Sequence, residues 1–167
     1  MAAAAAMSSA LLRQRLALFA AALWWGSGAG MGLVAAPLMF QILPDARLAG
    51  AAATHIFMAQ GWLGVACAAL LLLVRLPAAG PQATPQAAAQ RPPQPDLPDL
   101  SLIACASLGM LLALLIEFAV APRIAARHDP AFWHKLGAAV YIAQWLCAAF
   151  ALWRAAAHPA ASRPIAQ

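Results

Sequence analysis

Four ionisable side chains stand where so apolar a chain has little reason to keep them: His55, Glu117, His134 and Lys135. They fall within or at the edge of long apolar runs whose other ionisable groups are only cysteine and tyrosine. Glu117 is the most unusual. A charged side chain at the centre of a bilayer costs about 2.5–3.5 kcal/mol on insertion scales, so such residues usually face a protein interior and serve a function. Glu117 precedes Pro122 by five residues, which places it toward the end of its run and lowers that cost. Its helix face carries Ala106, Met110, Ala113, Glu117 and Ala121, a set suited to a bundle interior. There the carboxyl could accept a proton or a cation, or partner a histidine. The bland alternative is a helix-end carboxyl that reaches the interface or pairs with Arg123.

His55 lies about two turns into the second run and His134 opens the fourth beside Lys135. With the chain crossing back and forth, both sit toward the same side as Glu117. A Glu/His/His/Lys pocket would suit a metal, a haem or an anionic substrate. Neither histidine has a second ligand at helical spacing, and no particular metal or cofactor is indicated. Met58, near His55, slightly favours copper, although methionine is also ordinary core filler. Cys67, Cys105 and Cys147 fall on three different runs, and isolated thiols of this kind usually pack as small apolar groups. No CxxC is present, and thiols on an inner side argue against structural disulfides.

Gly26, Gly28, Gly30 and Gly32 form two overlapping small-xxx-small pairs in the first run. Small residues let helix backbones approach closely in lipid, while glycine costs nearly 1 kcal/mol relative to alanine inside a helix. A packing purpose is therefore expected, against a neighbouring helix or in a homo-oligomer. Gln60 and Gln144 stand near the middle of the second and fourth runs, where they could hydrogen-bond across helices for about 0.6 kcal/mol. No Walker-type loop, HExxH, GxSxG or serine beside a base occurs, so no enzyme is expected.

The elements that must position these residues are four apolar runs: Leu16–Phe40, Ala49–Val74, Ser101–Ala121 and Phe132–Trp153. Each approaches or exceeds the roughly 20 residues a helix needs to cross a bilayer core. The 167-residue chain is 65% hydrophobic and 9% charged, with mean hydropathy +0.78. Soluble proteins carry about 25% charged residues, whereas in lipid each helix satisfies its own backbone and turns apolar side chains outward. The fold class expected is all-α, a four-helix transmembrane bundle of two hairpins. Its partner is the lipid bilayer. The +5 net charge belongs to segments flanking the runs, where it orients the chain and meets anionic head groups, so no nucleic acid is expected.

The remaining segments are connections. Residues 1–15 are expected to be a disordered cytoplasmic N-terminus, and 154–167 a cytoplasmic tail. The linker 76–100 holds seven of the 13 prolines and should be extended or disordered. Leu43-Pro44-Asp45-Ala46 and His128-Asp129-Pro130 are turn signals. Arg13 and Arg15 precede an apolar run too long for a signal-peptide core, so the run is read as a retained span. With the N-terminus inside, cytoplasmic segments hold six Lys and Arg and the opposite side four. That bias favours both termini in the cytoplasm, in a bacterial inner membrane. Val34-Ala35-Ala36-Pro37 and Ala119-Val120-Ala121-Pro122 end the first and third runs alike, and Ala59-Gln60-Gly61-Trp62-Leu63 echoes Ala143-Gln144-Trp145-Leu146. A degenerate parallel repeat would produce this pattern.

Leu23-Trp24-Trp25-Gly26, Ala36-Pro37-Leu38-Met39-Phe40, Leu43-Pro44, Ala49-Gly50 and Ile56-Phe57 together resemble a widespread membrane family. It is a domain of unknown function similar to eukaryotic transmembrane protein 205. The resemblance runs from Leu16 to Trp153 and is clearest in the first hairpin. It implies a four-span helical membrane protein and carries no reaction with it. Small-solute or ion transport, permeability or membrane assembly is the leading expectation. A haem- or copper-binding redox module using His55 and His134 is the alternative, and a structural subunit of a larger membrane complex is a third.

Overall fold

The computed structural model describes residues 2–75, 99–126 and 129–157, with side chains from residue 8 onward. Four spans long and apolar enough to cross a membrane follow one another: α1 (Ser8–Ile42), α2 (Ala46–Arg75), α3 (Leu100–Ala125) and α4 (Pro130–Ala157). Each is longer than its apolar run, because hydropathy marks the lipid-core part of a helix and not the turns that continue into the interface. Residues 2–15, expected to be disordered, are helical. Alanine is the strongest helix former, and no proline or glycine interrupts it there. Most of the linker, 76–98, and the end of the tail, 158–167, lie outside the described residues.

Aspartates start three of the spans. Asp45 accepts the Arg47 N–H at 2.9 Å, Asp99 the Leu102 N–H at 3.3 Å, and Asp129 the Phe132 N–H at 3.4 Å. A carboxylate there satisfies donors that the first helical turn leaves unpaired and meets the positive end of the helix dipole. The turn at Asp129 takes a φ of 39°, and Pro130 then opens α4 with the fixed φ that suits a first helical position.

The spans form a ring: each packs on the next, and α4 closes back on α1. The buried positions follow the spacing that a parallel repeat would have. Ala17, Ala21, Trp24 and Gly28 of α1 recur at the same spacing as Leu102, Ala106, Gly109 and Ala113 of α3. Gln60, Gly64, Cys67 and Leu71 of α2 recur as Gln144, Ala148, Ala151 and Ala155 of α4. This steady four-three-four spacing is that of a left-handed supercoiled seam. It pairs Gly61 with Trp145, so the Trp62–Trp145 match suggested by the short motifs is displaced by one residue. Trp62 in fact faces outward.

Both odd-numbered spans widen into a π segment just before their proline, Gly30–Ala35 in α1 and Ile116–Val120 in α3. The Ala36 N–H bonds to the Met31 carbonyl, and the Ala121 N–H to that of Ile116. Pro37 and Pro122 have no N–H to offer and their rings crowd the carbonyl one turn back. A widened turn moves that carbonyl aside and lets the helix continue.

Packing is uneven along the bundle. The main apolar cluster, with Ala17, Ala21, Trp24, Cys67, Leu71, Ala106, Cys147 and Ala151, lies in the half nearest the chain termini. The hairpin half is looser, with no buried residue across residues 30–42 of α1. Small side chains dominate the tight half, so the backbones approach closely.

Candidate functional site

Glu117 lies in the π segment of α3, half-buried, on the looser side of the bundle. Its carboxyl rests on Gly61 of α2. A β-carbon built at Gly61 would stand 3.3 Å from Glu117 Cδ and closer still to Oε1, so only glycine leaves room for the acid. Trp62 and Phe118, the next residue on each helix, meet edge to face with centroids 6.3 Å apart and cover the outward side. Glu117 makes no hydrogen bond or ion pair among the described residues. Arg123, the expected partner, donates to the Ala119 carbonyl at 2.7 Å and stacks its guanidinium 4.7 Å from the Trp133 ring centroid. A helix arginine folds back on a carbonyl one turn earlier in its own helix more cheaply than it reaches a side chain six positions away.

The expected pocket is not assembled as a ligand set. His55, His134 and Lys135 are all exposed, and among the described residues no group of three or more His, Cys, Asp or Glu converges to hold a metal ion. The spans bring these residues to the same end of the bundle but turn them to its periphery, because the inward faces of α2 and α4 there carry Ala49, Ala53 and Val140. Met58 is exposed too. Of the thiols, Cys67 and Cys147 are buried and all three are free.

The glycines divide. Gly28 and Gly32 receive the side chains of α4, with Trp145 Cδ1 3.2 Å from a β-carbon built at Gly28 and Tyr141 Cε1 3.0 Å from one at Gly32. Gly26 and Gly30 have no atom within 4 Å of such a carbon. Residues two apart lie on opposite sides of a helix, so the two small-xxx-small pairs cannot both pack on one neighbour, and the expectation of packing within the chain fails for Gly26 and Gly30. The repeat exchanges roles here: Tyr141 fills the space over Gly32, and Glu117, the counterpart of Gly32, fills the space over Gly61.

A polar layer crosses the middle of the bundle. Gln60 and Gln144 are both 5% exposed. They do not bond to each other, because α2 and α4 lie diagonally across the ring. Gln60 Nε2 donates to Ser27 Oγ at 3.0 Å, and Ser27 Oγ to the Trp24 carbonyl at 3.2 Å. The Tyr141 hydroxyl donates to the Gly28 carbonyl at 2.8 Å. Ser27 and Tyr141 escaped sequence reasoning, although Tyr141 is the only tyrosine in the chain.

A second polar layer ties the spans at the terminal end. Arg154 makes a two-pronged contact with Asp99, at 2.9 and 3.0 Å. Arg75 donates to Gln14 Oε1 at 3.0 Å, and Gln14 Nε2 donates to the Ala155 carbonyl at 2.6 Å. Three residue contacts thus join α3 to α4, and α2 through α1 to α4.

Four long apolar spans with an apolar periphery define a multi-pass integral membrane protein. The chain belongs to the family described as a domain of unknown function, DUF4149, which matches residues 19–132. No curated protein and no solved structure matches the chain.

Proposed function

We propose that the protein carries out proton-linked transport of an ion or small solute, with Glu117 as the group that takes up and releases the proton. One observation carries this reading: a carboxyl within a membrane span, turned against the glycine backbone of a neighbouring span, with no cationic partner among the described residues. Intramembrane acids in such positions mark proton and ion pathways. The π segment supports it, since such turns recur at functional sites. So does the looser packing of the hairpin half, where no residue of 30–42 is buried. The role is one of carriage, with no bond-breaking step. The basic bias supports an orientation with both termini in the cytoplasm of a bacterial inner membrane, and the first-hairpin likeness to transmembrane protein 205 supports a shared bundle.

The test is a proteoliposome carrying an internal pH dye. Wild-type protein should speed the collapse of an imposed pH gradient, Glu117→Gln should return the rate to that of protein-free vesicles, and Glu117→Asp should retain part of it. Equal rates for wild type and Glu117→Gln would overturn the reading.

A further inference from the structure

The midplane layer contains two N–H donors that find no acceptor among the described residues. Trp24 Nε1 and Gln144 Nε2 stand 2.9 and 2.8 Å from the point a β-carbon of Gly64 would occupy. Their residues are only 2% and 5% exposed, neither group makes a hydrogen bond, and both atoms keep contact with open space, since Arg75 Nε alone is a fully enclosed side-chain N or O without a partner among the described residues. Polar groups on such largely buried residues are nearly always satisfied by protein or by ordered water. Both line a recess with Gly28, Gln60, Tyr141 and Trp145 that leaves about 10 Å³ of room for the centre of a water-sized sphere, close to the minimum a single water needs. Two of the lining residues also carry acceptors. Gln60 uses its Nε2 on Ser27, which leaves its Oε1 free to accept, and the Tyr141 oxygen has given its proton to Gly28 and keeps its lone pairs.

We infer that this recess is a binding site for one neutral, water-sized molecule, held between the indole of Trp24, the amides of Gln60 and Gln144, and the Tyr141 hydroxyl. The two donors require an oxygen, and the two acceptors require that oxygen to carry hydrogens. Water meets both demands. No charged side chain lines the recess, so a bare ion would be left without a counter-charge in a low-dielectric layer. Gly64 is what admits the ligand's partners, because any side chain there would collide with both donors. The site stands independently of any role for Glu117.

The experiment uses the full-length, ¹⁵N-labelled protein in lipid nanodiscs, with bulk water as the probe. Rotating-frame cross-relaxation separates a bound water from simple proton exchange by its sign. Water cross-peaks are expected at the Trp24 indole proton and at the Gln144 amide protons, and Gln144→Met should lose the indole peak while the protein stays folded. A Trp24 indole proton without a water peak, coupled instead to the Gln144 carboxamide, would mean that Gln144 Oε1 itself takes the indole hydrogen. That result would overturn the inference from wild-type protein alone.

Discussion

Asp45, Asp99 and Asp129 each accept a backbone N–H at the start of a span, which sets Glu117 apart as a carboxyl with no capping work to do. Trp24 is equally distinctive at this scale. Its ring enters the gaps left by Gly64 of α2 and Gly109 of α3, its own counterpart in the repeat. One indole therefore joins three spans across the middle of the bundle. Trp24→Ala should destabilise the folded protein by about 3–5 kcal/mol, the range for losing a large buried aromatic, measured by denaturing-detergent titration in mixed micelles. A loss no larger than that of an exposed substitution such as Leu18→Ala would show that the neighbouring spans close the gap without it.

Between elements, the two faces of α1 give a sharp contrast. Gly32→Leu should push Tyr141 away and destabilise the α1–α4 contact by about 1–3 kcal/mol, as overpacking does. Gly30→Leu should leave monomer stability nearly unchanged, since nothing stands within 4 Å of its β-carbon position. Comparable losses at both positions would contradict the division of the glycine faces. At the terminal end, the Arg154 guanidinium holds the Asp99 carboxyl well below the usual carboxylate range. A depressed acid contributes stability that is complete above its unfolded pKa, about 3.9, and is lost as pH falls toward its folded value. Thermal stability in detergent should therefore fall on acidification below about pH 4–5. Asp99→Asn should remove part of that dependence, and an identical acid profile in the variant would assign the loss to other groups.

For the molecule as a whole, polar contacts fasten one end of the bundle and π segments loosen the other. The fastened end carries Gln14, Arg75, Asp99 and Arg154, so the start of α1 and the end of α4 share one side. Reporter fusions after Arg75 and after Arg154 should report the cytoplasm, and one between Arg123 and Asp129 the outside, given the six-to-four basic bias. Opposite signals at all three points would invert the orientation while keeping the span count.

Composition and the spacing of apolar runs determined the four spans and their turns, because a bilayer demands about 20 apolar residues per crossing whatever the partners are. The inward face of Glu117 was legible for a similar reason: helical periodicity alone fixes which residues share a side. Which side meets which neighbour was decided only in three dimensions. The ring order placed α2 and α4 on a diagonal, which separated Gln60 from Gln144 and gave Gln60 to Ser27 of α1. It turned His55 and His134 to the periphery and brought Gly61 beneath Glu117. Lipid makes apolar side chains nearly equivalent on every outward face, so hydropathy cannot choose among helix rotations. That choice came from where glycine lets a large or polar side chain approach a backbone, a property of pairs of helices that neither sequence segment carries alone.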